Sequence, residues 1–475
     1  MEQSVKNDIA ELREKREESS RPLAPQAVAP PALKDTPERL SPQETSNSSS
    51  KQAVTIREDK LNGDGRLQTY IALAMHESPQ LAAAFERWQS SVYQISRSRR
   101  LPDPTISFSY FIQSVETRVG PQQAKLSLKQ SFPWPTRLSA GADAASAQAR
   151  AYQKRFDALA LAIEERIAAI YWNLWLIRET RDIHSAHLEV VRSLSQSVLA
   201  RVATGSTTLA DQQQVDLTAA RLEDMLRSMD ENETTAIAQL RAAIGLQNRQ
   251  AMGTSDDPPP SVFPAQTDEE LRNDALNHPL ISSHAYLAQA NDDRARAESA
   301  TGMPTFTIGA DWILTGKTNI ATVADDGKDA VIVGAGMSIP LWQGSYQDSV
   351  DAAQSAASAQ RAEAQNAKNS ALAEVDSSLA AVRNAIRRVD LYQNTLVPQA
   401  DSAYTSVLGA YATGRGTVAQ TLLAQRDLLE LRGELERARA DYGISWARLE
   451  QVVGHDIDGA QERPSEKSLG KKDDN

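Results

Sequence analysis

His184 and His187 stand three residues apart in a stretch of helical periodicity, a spacing that presents two imidazoles to one metal ion. No third ligand lies nearby in the sequence, and the pair is read as two surface histidines on an exposed helix face. Glu164-Glu165 and Asp325-Asp326 are adjacent carboxylates, the first on a helix and the second in a loop, and adjacency alone gives no acid–base geometry. No phosphate loop, nucleophile elbow or zinc motif occurs. Cysteine is absent, which removes disulfides, thiolate metal sites and cysteine nucleophiles. A net charge of −11 argues against nucleic acid as a partner. Neither an enzyme nor a cofactor is expected, and function has to be sought in the architecture.

The chain states that architecture twice. Leu101-Pro-Asp-Pro104-Thr105-Ile-Ser-Phe108 returns as Gly302-Met-Pro304-Thr305-Phe-Thr-Ile308, offset by 200. Phe132-Pro133-Trp134 returns as Ile339-Pro340-Leu341-Trp342, offset by 207. Ala203-Thr204-Gly205 returns as Ala412-Thr413-Gly414, and Leu240 to Gly245 as Leu449 to Gly454, both offset by 209. Solenoid repeats run only about 20–50 residues, so this is a duplicated half-molecule. Each half reads as a helix, two short strands and two long helices.

In the first half a helix is predicted from Leu67 to about Arg100, with Asp64 as its N-cap. Ile106, Phe108, Tyr110 and Ile112 then alternate with Thr105, Ser107 and Ser109. A polar connection, Gln113 to Gln123, leads to Leu126, Leu128 and Gln130 alternating with Ser127 and Lys129. The second half offers Phe306, Ile308, Ala310, Trp312 and Leu314, then Val331, Val333, Ala335, Met337 and Ile339. Alternation with period two makes these strands with one apolar face each. Long helices follow: Ser139 to Val202 and Thr208 to Ile244, then Ser345 to Tyr411 and a return arm to Val453. At 1.5 Å per residue the first arm is roughly 90 Å long. Glycines punctuate the turns, and Pro398 should kink or break the second arm. The predicted divisions are a disordered polar segment over 1–65, a first repeat over 66–250, a linker over 251–268, a second repeat over 269–455 and a disordered tail over 456–475. The hairpins fall at about 104–132 and 304–340, and the helix turns near 203–208 and 412–417.

No run of about 18 apolar residues exists to make a membrane-spanning helix. The strands, however, match the roughly nine to eleven residues of a tilted strand crossing a bilayer, with the apolar-out, polar-in alternation of outer-membrane barrels. Four strands cannot close a barrel, so closure requires several copies; three copies give twelve strands. The alternative is ordinary sheet packed beneath helices.

The layout resembles the TolC-type outer-membrane efflux family. The residues that carry the resemblance are the Ala-Leu…Pro79 and Ala-Leu…Pro279 helix starts, the Pro-Thr-Ile and Pro-Thr-Phe strand openings, and the Phe132-Pro-Trp-Pro135 and Ile339-Pro-Leu-Trp strand exits. Tyr411-Ala-Thr-Gly414-Arg-Gly-Thr417-Val-Ala-Gln420 at the second turn adds to them. The resemblance spans Leu67 to Gly454. It implies a mainly α fold with transmembrane β: a homotrimer whose twelve-stranded barrel, four strands per chain, continues into a long periplasmic α-helical barrel. It further implies a passive exit duct in outer-membrane lipid, docked to a periplasmic adaptor (a membrane fusion protein) and an inner-membrane efflux pump.

Carried over residue by residue, Gln420 and Leu423 occupy positions where the best-known member has aspartates ringing the constriction, so this chain departs from that pattern. Asp211 is the first-half equivalent of Gln420, and three copies supply one acidic ring; a helix-start carboxylate is the other reading of Asp211. The small residues Ala203, Gly205, Ala412 and Gly414, with Thr417, mark the tip turns where an adaptor's helical hairpin would approach. Asp325-Asp326 is expected at an extracellular loop tip. The Phe-Pro-Trp-Pro exit looks like the heavy-metal branch of the family, which implies metal cations as one cargo class, with drugs, dyes and secreted peptides left open. A periplasmic adaptor or coiled-coil scaffold is the runner-up. Adaptors carry one helical hairpin in a β-rich body, whereas here two helix pairs follow two strand pairs. Family members reach the outer membrane through an N-terminal signal, and residues 1–65 lack an apolar core for one; the expectation is a start assigned too far downstream or a leader already removed.

Overall fold

The computed structural model describes residues 65–247, 252–318 and 324–460. In chain order its helices and strands are α1 (Leu67–Glu77), α2 (Pro79–Arg99), β1 (Thr105–Thr117), β2 (Gly120–Phe132), α3 (Pro135–Ala203), α4 (Leu209–Ile244), β3 (Phe263–Pro264), α5 (Asp268–Ala275), α6 (Pro279–Thr301), β4 (Thr305–Thr315), β5 (Ala330–Ser338), α7 (Gln343–Leu391), a π-helical segment (Tyr392–Leu396), α8 (Val397–Ala412), α9 (Val418–Val453) and β6 (Gly459–Ala460). These fall into two units. One comprises Ala84–Phe156 and Pro279–Ala367; the other comprises Asp157–His278 with residues 65–83 and 368–460. Each unit therefore draws on both halves of the chain.

The single helix expected from Leu67 is in fact two. Proline has no amide hydrogen and pushes the preceding residue out of the α region; Ser78 is accordingly extended, at ψ 116°. Pro79 opens α2 at a position whose amide would lack a helical partner anyway. Pro279 opens α6 in the same way. The expected cap Asp64 lies outside the described residues, and Arg66 precedes α1 without a side-chain cap.

In the first unit the two hairpins merge into one antiparallel sheet of order β1-β2-β4-β5. Register fixes what each face carries. Phe108 pairs with Leu126, Leu126 with Trp312 and Trp312 with Val331, giving an apolar row across all four strands. This face is uncovered: Ile112 is 94% and Val333 77% exposed. The opposite face carries Thr105, Ser107, Ser109, Lys125, Ser127, Lys129, Thr307, Gly309 and Asp311. β1 and β2 are each 13 residues, longer than expected, because pairing continues through the polar run as far as Thr117 and Gly120. Alternation reports which face is apolar, and it falls silent where both faces are polar although the backbone ladder goes on. A register shift between Tyr110 and Val115 marks that change. Gly120 sits at φ +125°, and a Cβ there would lie 1.8 Å from the Gly316 carbonyl oxygen, so the close approach of the two hairpin ends requires glycine. The helices of this unit pack through small residues: Ala140, Ala147, Ala149, Ala151, Ala288 and Ala295 are buried. Ser283 donates to the Ala151 carbonyl at 3.1 Å, and Phe85, Trp88 and Phe156 form its aromatic cluster.

The second unit holds the helix turns and several apolar clusters, two of them large. Leu271, Val375, Leu379, Val382, Tyr442 and Leu449 anchor one; Leu188, Val191, Val198, Val215, Tyr411 and Val418 anchor the other. The segment joining the two repeats is pinned by side chains: Tyr70 donates to the Gly253 carbonyl at 2.9 Å, and Arg178 reaches Glu233, Thr254 and the Met252 carbonyl. The chain after 455 is structured as far as it is described, contrary to the expected tail. Ile457 is buried, and Gly459–Ala460 pairs with Phe263–Pro264, supplying apolar and backbone partners that short-range pattern could not reveal. The rest of that tail and the segment before Gly65 lie outside the described residues. Pro398 does not break the second arm: α7, the π segment and α8 follow without interruption. A proline ring clashes with the carbonyl four residues back, and the wider π turn just before it removes that conflict.

Candidate functional site

The two helix turns are built alike. α3 ends at Ala203 and Gly205 follows at φ +76°; α8 ends at Ala412 and Gly414 follows at φ +74°. At the first turn the Gly205 amide donates to Val202 (3.0 Å) and the Ser206 amide to Arg201 (2.9 Å). At the second, the Gly414 amide donates to Tyr411 (3.0 Å) and the Arg415 amide to Ala410 (2.9 Å). This left-handed closure satisfies the last helical carbonyls. A Cβ on Gly205 or Gly414 would meet nothing within 4 Å, whereas one on Gly416 would lie 2.8 Å from the Tyr411 amide nitrogen. The first two glycines answer to backbone conformation and the third to space.

Both return helices start with a capping box. The Thr208 hydroxyl accepts from the Asp211 amide, and Asp211 Oδ2 accepts from the Thr208 amide (3.1 Å), the Thr208 hydroxyl (2.7 Å) and the Thr207 hydroxyl (2.8 Å). Thr417 and Gln420 repeat the arrangement through an amide oxygen. Asp211 and Gln420 are thus equivalent in structure as in sequence. Hydrogen bonds from the Thr208 side chain first, then from Thr207 and the Thr208 amide, hold the Asp211 carboxyl below its ordinary range, so it keeps its charge at a helix N-terminus that favours it. Leu423, one turn on, is 58% exposed.

A residue that sequence reasoning missed ties the turns together. The Arg201 guanidinium lies 4.3 Å from the centre of the buried Tyr411 ring and donates to the Ala412 carbonyl at 3.3 Å. Such a stack is worth about 0.5–2 kcal/mol. Its partners are 210 and 211 positions apart in the sequence, and no local pattern links them.

The histidine pair is not on an exposed face. His187 is only 7% exposed, and the Nδ1 atoms of both His184 and His187 are buried without a hydrogen-bond partner. They line a cleft of about 810 Å³ together with Leu422, Leu423, Arg221, Arg426 and Glu430. Burial lowers the His184 pKa; burial, and then proximity to His184, lowers that of His187 to about 4. The error came from treating all positions outside the strongest apolar stripe as solvated. Among the described residues no three histidine, aspartate or glutamate side chains gather as a metal site.

Glu164 lines a second cleft, of about 520 Å³, with Glu450, Asp456, Trp172, Tyr442 and Trp446. Its pKa is raised by burial, then by the charges of Asp456 and Glu450. Glu450 is raised as well, by burial, although it accepts from Trp446 Nε1 at 2.9 Å and the Ile457 amide at 3.2 Å.

Residues 271–455 match the family described as Outer membrane efflux protein. No curated sequence matches the chain. Among solved structures, the outer membrane protein VceC of Vibrio cholerae is similar at 20% identity and a TM-score of 0.66, over 82% of this chain and 96% of that one. The CmeC outer membrane channel of Campylobacter jejuni is similar at 15% identity and a TM-score of 0.69, over 93% of this chain and 96% of that one. The open state of the MtrE outer membrane channel of Neisseria gonorrhoeae is similar at 17% identity and a TM-score of 0.66, over 82% and 89%. The fold is that of these outer-membrane channels, mainly helical with one four-stranded sheet.

Proposed function

We infer from the match of residues 271–455 to the outer membrane efflux protein family, together with the fold, that this chain is the outer-membrane channel of a tripartite efflux system. Three copies close a twelve-stranded barrel in outer-membrane lipid, and their helical hairpins form a periplasmic tunnel. An inner-membrane pump supplies the energy, a periplasmic adaptor joins pump to channel, and this chain conducts passively.

The observation that carries the reading is the sheet: four strands with one face apolar and uncovered and the other polar. In water that face would be an aggregation site. In a bilayer it is the lipid wall, and β4 and β5, at 11 and 9 residues, have the length to cross one. An adaptor or scaffold would have no use for it.

The turns at Gly205 and Gly414 are the periplasmic tip in this reading. Asp211 of three copies makes an acidic ring beside neutral Gln420 and apolar Leu423. Ala203, Gly205, Ala412 and Gly414, with Thr417, form the surface on which the adaptor's hairpin docks; the support for this is the open space above both turn glycines. Membrane fractionation and gel migration test the whole. The expected result is an outer-membrane trimer that resists detergent until heated, and a soluble monomer would overturn the assignment.

A further inference from the structure

The polar face of the sheet carries a charge imbalance that composition conceals. Where the four strands pair between Thr105 and Tyr110 of β1, its only charged side chains are Lys125, Lys129 and Asp311. Lys125 lies opposite Ile313 and forms an ion pair with Asp311 at 3.1 Å. The Ser127 hydroxyl also donates to Asp311. Lys129 is different. It faces Gly309, where a Cβ would come within 3.2 Å of its Cγ, so the lysine stem lies across the gap that glycine leaves. Lys129 is exposed, and among the described residues it makes no ion pair, its charge acting on Asp311 only from a greater distance than that of Lys125. The sum is one net positive charge per chain on this stretch of the face, in a protein whose net charge is −11.

We propose that Lys129 biases the barrel lumen towards anions. The proposal rests on the trimeric channel reading. Threefold closure turns Lys129 into a ring of three ammonium groups at one level of the barrel. Twelve strands at a spacing of about 4.8 Å and a tilt of about 40° place the backbone roughly 12 Å from the axis. An extended lysine then brings its charge to within a Debye length of the axis, about 10 Å at 0.1 M salt. Rings of lysine or arginine are how pores favour anions. The nearest acidic residue of the loop end, Asp329, adjoins Ala330, which pairs with Ile313, four residues along β4 from the Gly309 that faces Lys129, about 13 Å away and beyond a Debye length at 0.1 M salt.

The test is the reversal potential of the purified wild-type trimer in a planar bilayer under a potassium chloride gradient, centred on 0.1 M, beside Lys129→Glu, Lys129→Gln and Lys129→Arg. The chloride-to-potassium permeability ratio is expected to fall several-fold in Lys129→Glu, to fall less in Lys129→Gln and to hold in Lys129→Arg, with the differences shrinking at 1 M salt. A Lys129→Glu trimer that conducts with an unchanged ratio overturns the proposal; if that variant fails to assemble, an unchanged ratio in Lys129→Gln does so. A wild-type trimer that passes no current overturns instead the channel reading beneath it, a result that cannot be mistaken for a conducting pore indifferent to Lys129.

Discussion

His187 should couple the helical hairpins to acid. Its imidazole is buried with Nδ1 unpartnered, and its pKa is lowered to about 4 from an ordinary 6.5. Lowering means that the native state binds the proton less well than the unfolded chain does. The stabilisation from a neutral His187 is therefore complete above pH 6.5 and is lost as pH falls towards about 4. Between pH 7.5 and pH 5 those two values give a loss of about 2 kcal/mol per chain, a factor of about 30 in the opening equilibrium. The charged groups around the same cleft are His184, Arg221, Arg426, Arg437, Glu430 and Glu434. Beyond burial, it is the neighbouring His184 that makes a further positive charge there more costly, and Glu434 is already paired with Arg388 at 2.7 Å. The measurement is hydrogen exchange by mass spectrometry on peptides from α3, α4 and α9, corrected for intrinsic rates, at pH 7.5 and pH 5, in the wild type and in His187→Gln. The wild type should lose roughly 30-fold more protection than the variant. Equal losses in the two proteins would refute the reasoning, since every other titrating group is common to both.

Three further outcomes are expected. Asp211→Ala should weaken block of the channel by multivalent cations applied to the periplasmic side, and an unchanged blocking constant would remove Asp211 from the pore. Gly414→Val places a β-branched residue at φ +74°, a strain of about 1–3 kcal/mol. Export should be lost while trimers persist on gels, and loss of trimers would instead assign the glycine to folding. Glu164→Gln should raise the thermal midpoint at pH 7, because a raised carboxylate pKa contributes stability that is complete below the unfolded value of 4.5 and disappears as pH rises through the folded one. The advantage of the variant should close as pH falls towards 4.5, and a constant gap would mean that packing, not charge, is responsible.

What the sequence disclosed and what it withheld divide along a physical line. Alternation around Phe108 and Phe306 located the strands, because burial on one face writes a period of two into the chain. It missed the ends of β1 and β2, where backbone pairing continues without an apolar side. The glycine turns and the helix-start reading of Asp211 rest on residues within a few positions of one another, and such local chemistry can be read directly; the Thr208 and Thr417 partners of the two capping boxes lie equally close and went unread. His187 was misplaced because the wall that covers it comes partly from α9, more than 230 positions away. The charge on Lys129 matters for a similar reason. Whether a lysine is neutralised depends on which carboxylate lies across the ladder, and the register that gives Asp311 to Lys125 can be seen only once β2 and β4 are paired.

The π segment at Tyr392–Leu396 has a bearing on how the duplicated halves stayed compatible. α3 contains 69 residues, whereas the 49, 5 and 16 residues of α7, the π segment and α8 together make 70. Between the aligned strand exits and turns the second arm is two residues longer, 72 positions from Pro340 to Ala412 against 70 from Pro133 to Ala203, and a π turn takes up one extra residue without turning the rest of the helix. In a regular α-helix that residue would have rotated every later side chain by about 100° and advanced it by 1.5 Å, carrying Tyr411 away from Arg201. The bulge confines the mismatch to a single turn. It reads as the scar of an insertion, and deleting one residue within it should return the segment to regular α-helix.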